Sequence, residues 1–333
     1  MESTLKPQTA FSRRRQLLAA FALTPMTCWT QQKSGWPDRP VRFIVGWPPG
    51  GSADTAARLL AEQLARRIGQ PIVVENRAGA SGRLGVQHVI HSEPDGYTLL
   101  FAAPSEITIA AATVQVLPYD FARDLQPVTT VVSGAMMLVA DARFAPSSVP
   151  ELVGYAKANP GKLNYASYGN NTTNHIYGAQ FCSVADIQAT HVPYKGGAPA
   201  WNDMMAGQVQ FMFDNAAVVM PLVRSGKLKA LAVLGSERIS LTPSTPTMTE
   251  SGYPNIGVKP WMGLFAPARA PARVVKQLSD EVAAALSNPE FARQLEERGM
   301  PAWSTTPTEF GNILRNETAE FRSLVRKLGL QLE

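Results

Sequence analysis

Cysteine is scarce in this chain: there are two in 333 residues, Cys28 and Cys182. Cys28 lies in an N-terminal leader, which leaves Cys182 alone and excludes a disulfide framework or a cysteine-based zinc site. Cys182 reads as a small buried hydrophobe on a helix. Charged residues are also sparse, at 17%, and the net +5 is unevenly placed. Residues 1–36 hold Lys6, Arg13, Arg14, Arg15 and Lys33 against Glu2, so the remainder of the chain is close to +1. A basic surface for nucleic acid is therefore excluded. No apolar run is long enough to span a bilayer.

Signatures of catalysis are missing as well. The glycines after the first apolar run are followed by Ser52-Ala53-Asp54 rather than Gly-Lys-Ser/Thr, so no P-loop lysine reaches a phosphate. Gly79, Gly82 and Gly85 are spaced GxxGxxG, which is not the dinucleotide fingerprint. A G-x-S-x-G elbow is absent. Of the four histidines, His88 and His91 share a predicted helix without a third ligand nearby, and His191 reads as a strand packing residue. His175, early in a helix after a polar loop, has no nucleophile partner and reads as a ligand contact. No catalytic residue, metal or cofactor emerges.

What is present begins with the leader, residues 1–35. Arg13–Arg15, then the short apolar stretch Leu17–Leu23, then polar and small residues have the layout of an export signal. The alternative is a frayed cytosolic tail. Ser12-Arg13-Arg14 also fits a twin-arginine signal, loosely. Pro25-Met26-Thr27 matches poorly the pattern that precedes a lipidated cysteine, so Cys28 reads as lost with the leader.

The rest alternates strands and helices. Val41–Val45 is a continuous apolar run, as in a strand buried on both faces. Thr55–Ile68 places Ala57, Leu60, Leu64 and Ile68 on one helical face, and Gly69 stops it. Ile72–Val74, a helix ending near Ile90 and Tyr97–Phe101 complete a βαβαβ unit, which implies a parallel sheet. Val131–Val139 carries the chain to a second region, with strands at Leu163–Ala166, Ala189–Val192, Val209–Phe213 and Leu228–Leu234. Ser148–Glu151 and Thr306–Glu309 are capping boxes. The last hundred residues read as proline-punctuated and then helical. The class is α/β: two lobes, each a mainly parallel sheet flanked by helices, with 36–138 plus 236–333 in one and 139–235 in the other. The ligand cleft is expected between them.

Four bends share one design, a strand end, then small or amide-bearing residues, then a helix start: Pro48–Ala53, Ala78–Gly82, Ser167–Thr173 and Tyr194–Ala198. Each exposes backbone N–H groups at the positive end of a helix, where an anion can sit. Any one bend is more often a plain structural turn; four, divided between two lobes, point to anion binding. Asp214 ends an apolar strand and is either a ligand acceptor or a helix N-cap. Tyr194-Lys195 offers a hydroxyl and a charge to the cleft, or else an exposed lysine. Trp47 and Trp261 either wall a pocket or fill cores.

WPDRPVRFIVGWPPGGSADTAAR, VVENRAGASGRLG, PDGYTLL, ANPGKLNYASYG, HVPYKGGAPAWNDMMAGQVQFMFD and GKLKALAV together resemble the extracytoplasmic solute receptors of tripartite tricarboxylate transporters, the Bug-type binding proteins. The resemblance runs from about Trp36 to the C-terminus. It implies a two-lobed periplasmic binding protein, type II-like, that closes on a small organic acid and delivers it to membrane permease subunits. It further implies an exported monomer without nucleic-acid partners. By motif, the first-lobe contacts are Trp47, Pro48, Gly50, Gly51 and Ser52 with Ala80 and Ser81. Those of the second lobe are Ser167, Gly169, Asn171, Thr172, His175, Tyr194, Lys195, Gly196 and Asp214. Two departures stand out: Tyr168–Thr172 replaces a Gly/Ser-rich segment, and Ala179 an acidic residue. A sensor that docks a signalling partner, or an enzyme acting on a carboxylated substrate, are the alternatives for the same fold.

Overall fold

The structure, a computed structural model, describes residues 1–4, 35–254, 256–257 and 260–330. The leader features, including the arginine run, Leu17–Leu23 and Cys28, lie outside the described residues. The chain divides into Met1–Gly35 and Trp36–Glu333, and every described helix and strand belongs to the second unit. Among the described residues no helix is long and apolar enough to cross a membrane.

The first stretch is β1 (Val41–Val45), α1 (Ser52–Ile68), β2 (Ile72–Asn76), α2 (Arg83–Ile90), β3 (Thr98–Ala102), α3 (Thr108–Thr113), α4 (Phe121–Asp124) and β4 (Leu125–Ser133). The second is β5 (Met136–Asp141), α5 (Val149–Ala158), β6 (Leu163–Ser167), α6 (Thr173–Ala185), β7 (Ala189–Pro193), α7 (Gly197–Met205), β8 (Phe211–Asn215), α8 (Ala216–Arg224) and β9 (Leu228–Val233). The chain ends with β10 (Trp261–Pro267), α9 (Ala272–Leu286), α10 (Pro289–Glu296) and α11 (Pro307–Leu328).

Two five-stranded sheets result, ordered β2-β1-β3-β10-β4 and β7-β6-β8-β5-β9. In each, four strands point one way and one is reversed: β10 runs against β3 and β4, and β5 against β8 and β9. The reversed strand is in both cases the first one after the chain crosses between sheets. The first crossing falls at Gly134-Ala135, within the apolar Val131–Val139 run rather than at its end. After β9 the chain lingers by the second sheet, where Thr247 pairs with Val233 and Met248 and Ile256 join the core.

Both faces of each sheet are covered, which is why its strands are apolar without alternation. Val41, Phe43 and Val45 pack with Leu60 and Leu64 of α1 and Leu278 of α9, while Ile44 faces Val86 of α2 and Phe310 of α11. In the second sheet Leu138 and Phe213 face Leu152 of α5 and Phe181 of α6; Met137 and Met212 face Ala200 of α7 and Val219 of α8. The helix α11 serves both lobes. Phe310 and Leu314 pack on the first, Phe321 and Val325 on the second. Its capping box forms as the sequence predicts, with Thr306 and Glu309 exchanging bonds. At Ser148 only half of the box forms, because the Glu151 carboxylate takes the N–H of Ser147 instead.

Candidate functional site

A cleft of about 380 Å³ opens between the lobes. On one side stand Trp47–Ala53, Ala103–Ser105 and the entry to β10, Pro260–Met262; on the other Met136, Tyr168, Thr173, Asn174, Lys195–Pro199, Trp201, Asp214, Asn215 and Val218. Most of these lie at the carboxyl ends of parallel strands. Because β5 and β10 are reversed, their first residues, Met136 and Trp261, reach the same end.

The bend after β1 is built from within. Asp54, buried in the first turn of α1, accepts the N–H of Gly50 at 3.0 Å and hydrogen bonds from Arg58 (3.0 Å) and Asn76 (2.9 Å). Asn76 also donates to the carbonyl of Trp47 at 3.0 Å, so one side chain fastens both ends of the bend. Burial alone would raise the pKa of Asp54, but the bonds from Arg58, Gly50 and Asn76 outweigh it and hold the carboxylate below its usual range. The N–H of Gly50 is thus already used. The donors left at this bend are those of the α1 N-terminus, Ser52 and Ala53, which helix geometry leaves without an intrahelical acceptor. Helix α1 begins at Ser52, a turn earlier than its apolar face suggested, with Gly51 as N-cap.

Across the mouth, Gly196 and Gly197 open α7, and a Cβ on Gly196 would lie 3.7 Å from the Pro48 ring. Lys195 is exposed beside them and is the single basic residue lining the cleft among the described residues. The start of α6 is closed differently. Thr172 is its N-cap residue but makes no side-chain cap bond; the N–H of Thr173 donates to Ser105 Oγ of the other lobe at 3.2 Å, and the two hydroxyls lie 3.0 Å apart.

Three tryptophans line the cleft, and each donates its indole N–H to a buried carboxylate: Trp47 to Glu106 at 3.2 Å, Trp201 to Asp214 at 2.8 Å and Trp261 to Glu317 at 2.9 Å. Asp214 also receives the Tyr168 hydroxyl and the N–H of Asn215. Three protein donors thus already bond its carboxylate. It is not the cap of α8, a role taken by Asn215, whose side chain accepts the N–H of Ala217. Burial pushes Asp214 up to about 6, and Glu106 and Glu317 up to about 7, against opposing hydrogen bonds.

Of the residues singled out in the sequence, Trp47, Pro48, Gly50, Gly51, Ser52, Lys195, Gly196 and Asp214 line the cleft. The others stand behind it or on its rim. Ala80 and Ser81 are at the rim in left-handed backbone, with Ser81 Oγ donating to the carbonyl of Asn170 at 3.2 Å from lobe to lobe. Glycines beside that bend serve packing: a Cβ on Gly46 would come within 2.4 Å of the Gly82 carbonyl oxygen, and one on Gly85 within 2.8 Å of Gly46 Cα. Ser167 is buried and holds Gly169 and His191, the latter at 2.6 Å. Thr172 ties its hydroxyl to the carbonyl of Gly169 at 2.8 Å, and the N–H of Asn171 donates to His175 Nδ1 at 3.1 Å. His175 stacks on His191, with centroids 3.9 Å apart. Burial, with His175 nearby, pushes His191 down to about 3. Tyr194 turns its hydroxyl to Asp203 at 2.8 Å. Together these residues stiffen the loop that presents Tyr168, Thr173 and Asn174. Sequence reasoning placed Thr173 in the Ser167–Thr173 bend but missed Ser105, Asn174, Trp201 and Val218 as cleft residues. The only signal available was their position in the bends and helices that follow strand ends.

Comparison with known proteins gives a consistent match. The model of the tripartite tricarboxylate transporter family receptor matches residues 56–330. The chain is 33% identical over 299 residues to Protein BugT of Bordetella pertussis, covering 90% of this chain and 92% of that one. It is similar to an R. palustris protein solved with adipate (30% identity, TM-score 0.84, 89% of this chain and 99% of that chain). It is likewise similar to MatC from Rhodopseudomonas palustris with bound malate (30% identity, TM-score 0.81, 87% of this chain and 99% of that chain).

Proposed function

The chain belongs to the tripartite tricarboxylate transporter receptor family, and on that premise we propose that it captures a small organic acid in the interlobe cleft and hands it to membrane subunits of such a transporter. The observation that carries this reading is the meeting of two helix N-termini, α1 at Ser52-Ala53 and α7 at Gly197-Ala198, across the mouth of the cleft beside Lys195. Partial positive charge at both ends, free N–H groups and one ammonium suit a carboxylate without a guanidinium clamp. The acids bound by the adipate and malate structures of similar proteins support the ligand class.

Binding without turnover fits the same geometry. The buried Asp214 is engaged by three protein donors, and the paired histidines His175 and His191 stand outside the cleft lining, so among the described residues neither Asp214 nor this pair is placed as a base beside a nucleophile in the cleft. The protein acts as an exported periplasmic monomer, in keeping with the periplasmic binding proteins it resembles in structure. A thermal-shift screen of carboxylates, amines and neutral sugars tests the class; stabilisation by sugars or amines and by no acid would overturn it. Gly51→Val gives the site-directed arm. The Gly51 backbone suits any residue and a Cβ there meets only the Pro48 carbonyl at 3.7 Å, so the variant folds. Its side chain crowds the α1 N-terminus, and acid affinity is expected to fall about tenfold or more. A folded variant with unchanged affinity would remove this bend from the site.

A further inference from the structure

Asn215 ends β8 and caps α8 with its side-chain oxygen, which accepts the N–H of Ala217 at 2.9 Å. That bond settles which end of the amide is which, and leaves Nδ2 with two hydrogens to donate. Asn215 lines the cleft and is only 7% exposed, and among the described residues its Nδ2 has no hydrogen-bond partner. A buried amide donor that borders a cleft without a protein acceptor gains when a ligand accepts from it. Its place is the hinge end. The N–H of Ala216 donates to the carbonyl of Ala135 at 2.7 Å, and that of Gly134 to the carbonyl of Pro260 at 2.9 Å, so the first crossing and the entry to β10 meet beside it. A Cβ on Gly134 would lie 2.8 Å from Asn215 Nδ2, and the glycine leaves the amide its room.

Resting on the carboxylate reading and deepening it, we propose that Asn215 is a specificity-determining residue at the hinge end of the cleft: its Nδ2 donates to a neutral oxygen, an oxo or hydroxyl group, on the part of the acid remote from the carboxylate. The charges favour a neutral oxygen there over a second carboxylate. Lys195, the one basic side chain of the lining among the described residues, stands at the mouth. A second carboxylate at Asn215 would lie next to Asp214, whose own bonds come from the neutral Tyr168, Trp201 and Asn215 N–H and not from a cation. The hydroxyl pair of Ser105 and Thr173, also on the lining, points the same way. Its two O–H groups share one bond, so one hydrogen is left over, again on a neutral group. An acid with a plain alkyl tail would cover the Asn215 amide and leave it unpaired, which is costly.

The test is calorimetric titration of the dialysed protein with two matched series: butyrate, acetoacetate and succinate, and valerate, levulinate and glutarate. Each holds an alkyl acid, an oxo acid and a diacid, and the oxo group can only accept. In the series that binds more tightly, the oxo acid is expected to exceed both the alkyl acid and the diacid about tenfold or more. Asn215→Asp keeps an oxygen for the N–H of Ala217 and removes the donor; Asn215→Ser does so without adding a charge, and both residues are good helix caps. In each variant the preference for the oxo acid over the alkyl acid is expected to shrink to within about twofold. A merely structural asparagine would instead weaken all acids alike and leave that preference standing. An oxo acid no tighter than the alkyl acid, a diacid as tight as the oxo acid, or a preference that survives both variants overturns the proposal and leaves the carboxylate reading intact. Absence of binding by every acid overturns both.

Discussion

At the scale of single residues, Asp54 governs the first bend of the site. It gathers Gly50, Arg58 and Asn76 onto one buried carboxylate, so Asp54→Ala strands three donors. The expected loss is about 1–3 kcal/mol in stability, measured by urea unfolding, with weaker acid binding because the α1 N-terminus is no longer held against Trp47 and Pro48. Full stability in that variant would show that the bend holds itself. Glu317 gives the pH prediction. Burial lifts Glu106 and Glu317 to about 7 from the usual 4.5. Between these values the folded chain keeps protons that the unfolded chain releases, so the contribution of these acids is full below about 4.5 and is lost as pH rises through 7. Glu317→Gln keeps an oxygen for Trp261 and Thr108 but no longer titrates. Its melting temperature is therefore expected to fall less between pH 5 and pH 8 than that of the unaltered protein. Calorimetry at the two pH values reads this directly, and parallel curves would refute it.

At the scale of elements, α11 fastens the two lobes at the back of the cleft. Phe321 is 1% exposed in the second-lobe core, and Phe321→Ala is expected to cost about 3–5 kcal/mol, seen as a lower denaturant midpoint; a loss under about 1 kcal/mol would mean the helix end is loosely docked. Elements were legible in the sequence where local chemistry and long-range packing agree. The β1–α1–β2–α2–β3 unit was read because apolar runs are bounded by Gly69 and Pro94-Asp95-Gly96, and α11 because Thr306 and Glu309 cap it. The strand β10 was not read. Pro260 and Pro267 at its edges look like loop punctuation, and its partners β3 and β4 are far away in the sequence. The site followed the same rule. The bends Pro48–Ala53 and Tyr194–Ala198 announce themselves by small residues, whereas Ser105 and Trp201 reach the cleft only through tertiary packing. Small residues alone do not mark a cleft donor at Gly82, where a φ of 91° and a Cβ that would lie 3.1 Å from the Glu106 side chain call for glycine.

At the scale of the whole molecule, the bonds that join the lobes among the described residues include Ser81 to Asn170 on the rim and Ser105 to Thr173 within the cleft. Ser105→Ala uncaps α6 whenever the lobes are together, which tilts the balance toward the parted form. Acid affinity is expected to fall roughly two- to tenfold with the melting temperature of the ligand-free protein nearly unchanged; calorimetric titration checks it, and an unaltered affinity would show that the hydroxyl pair does not help closure. The reversed strands carry a different consequence, one of order in time. The second sheet is assembled wholly from residues 136–233. The first is not: β4 pairs only with β10, and β3 gains its second neighbour only when Trp261–Pro267 arrives. A chain that emerges from its N-terminus therefore presents the first lobe before that lobe can be finished. The later-made lobe completes its sheet first, and the earlier one waits with two open strand edges until the last third of the polypeptide is available.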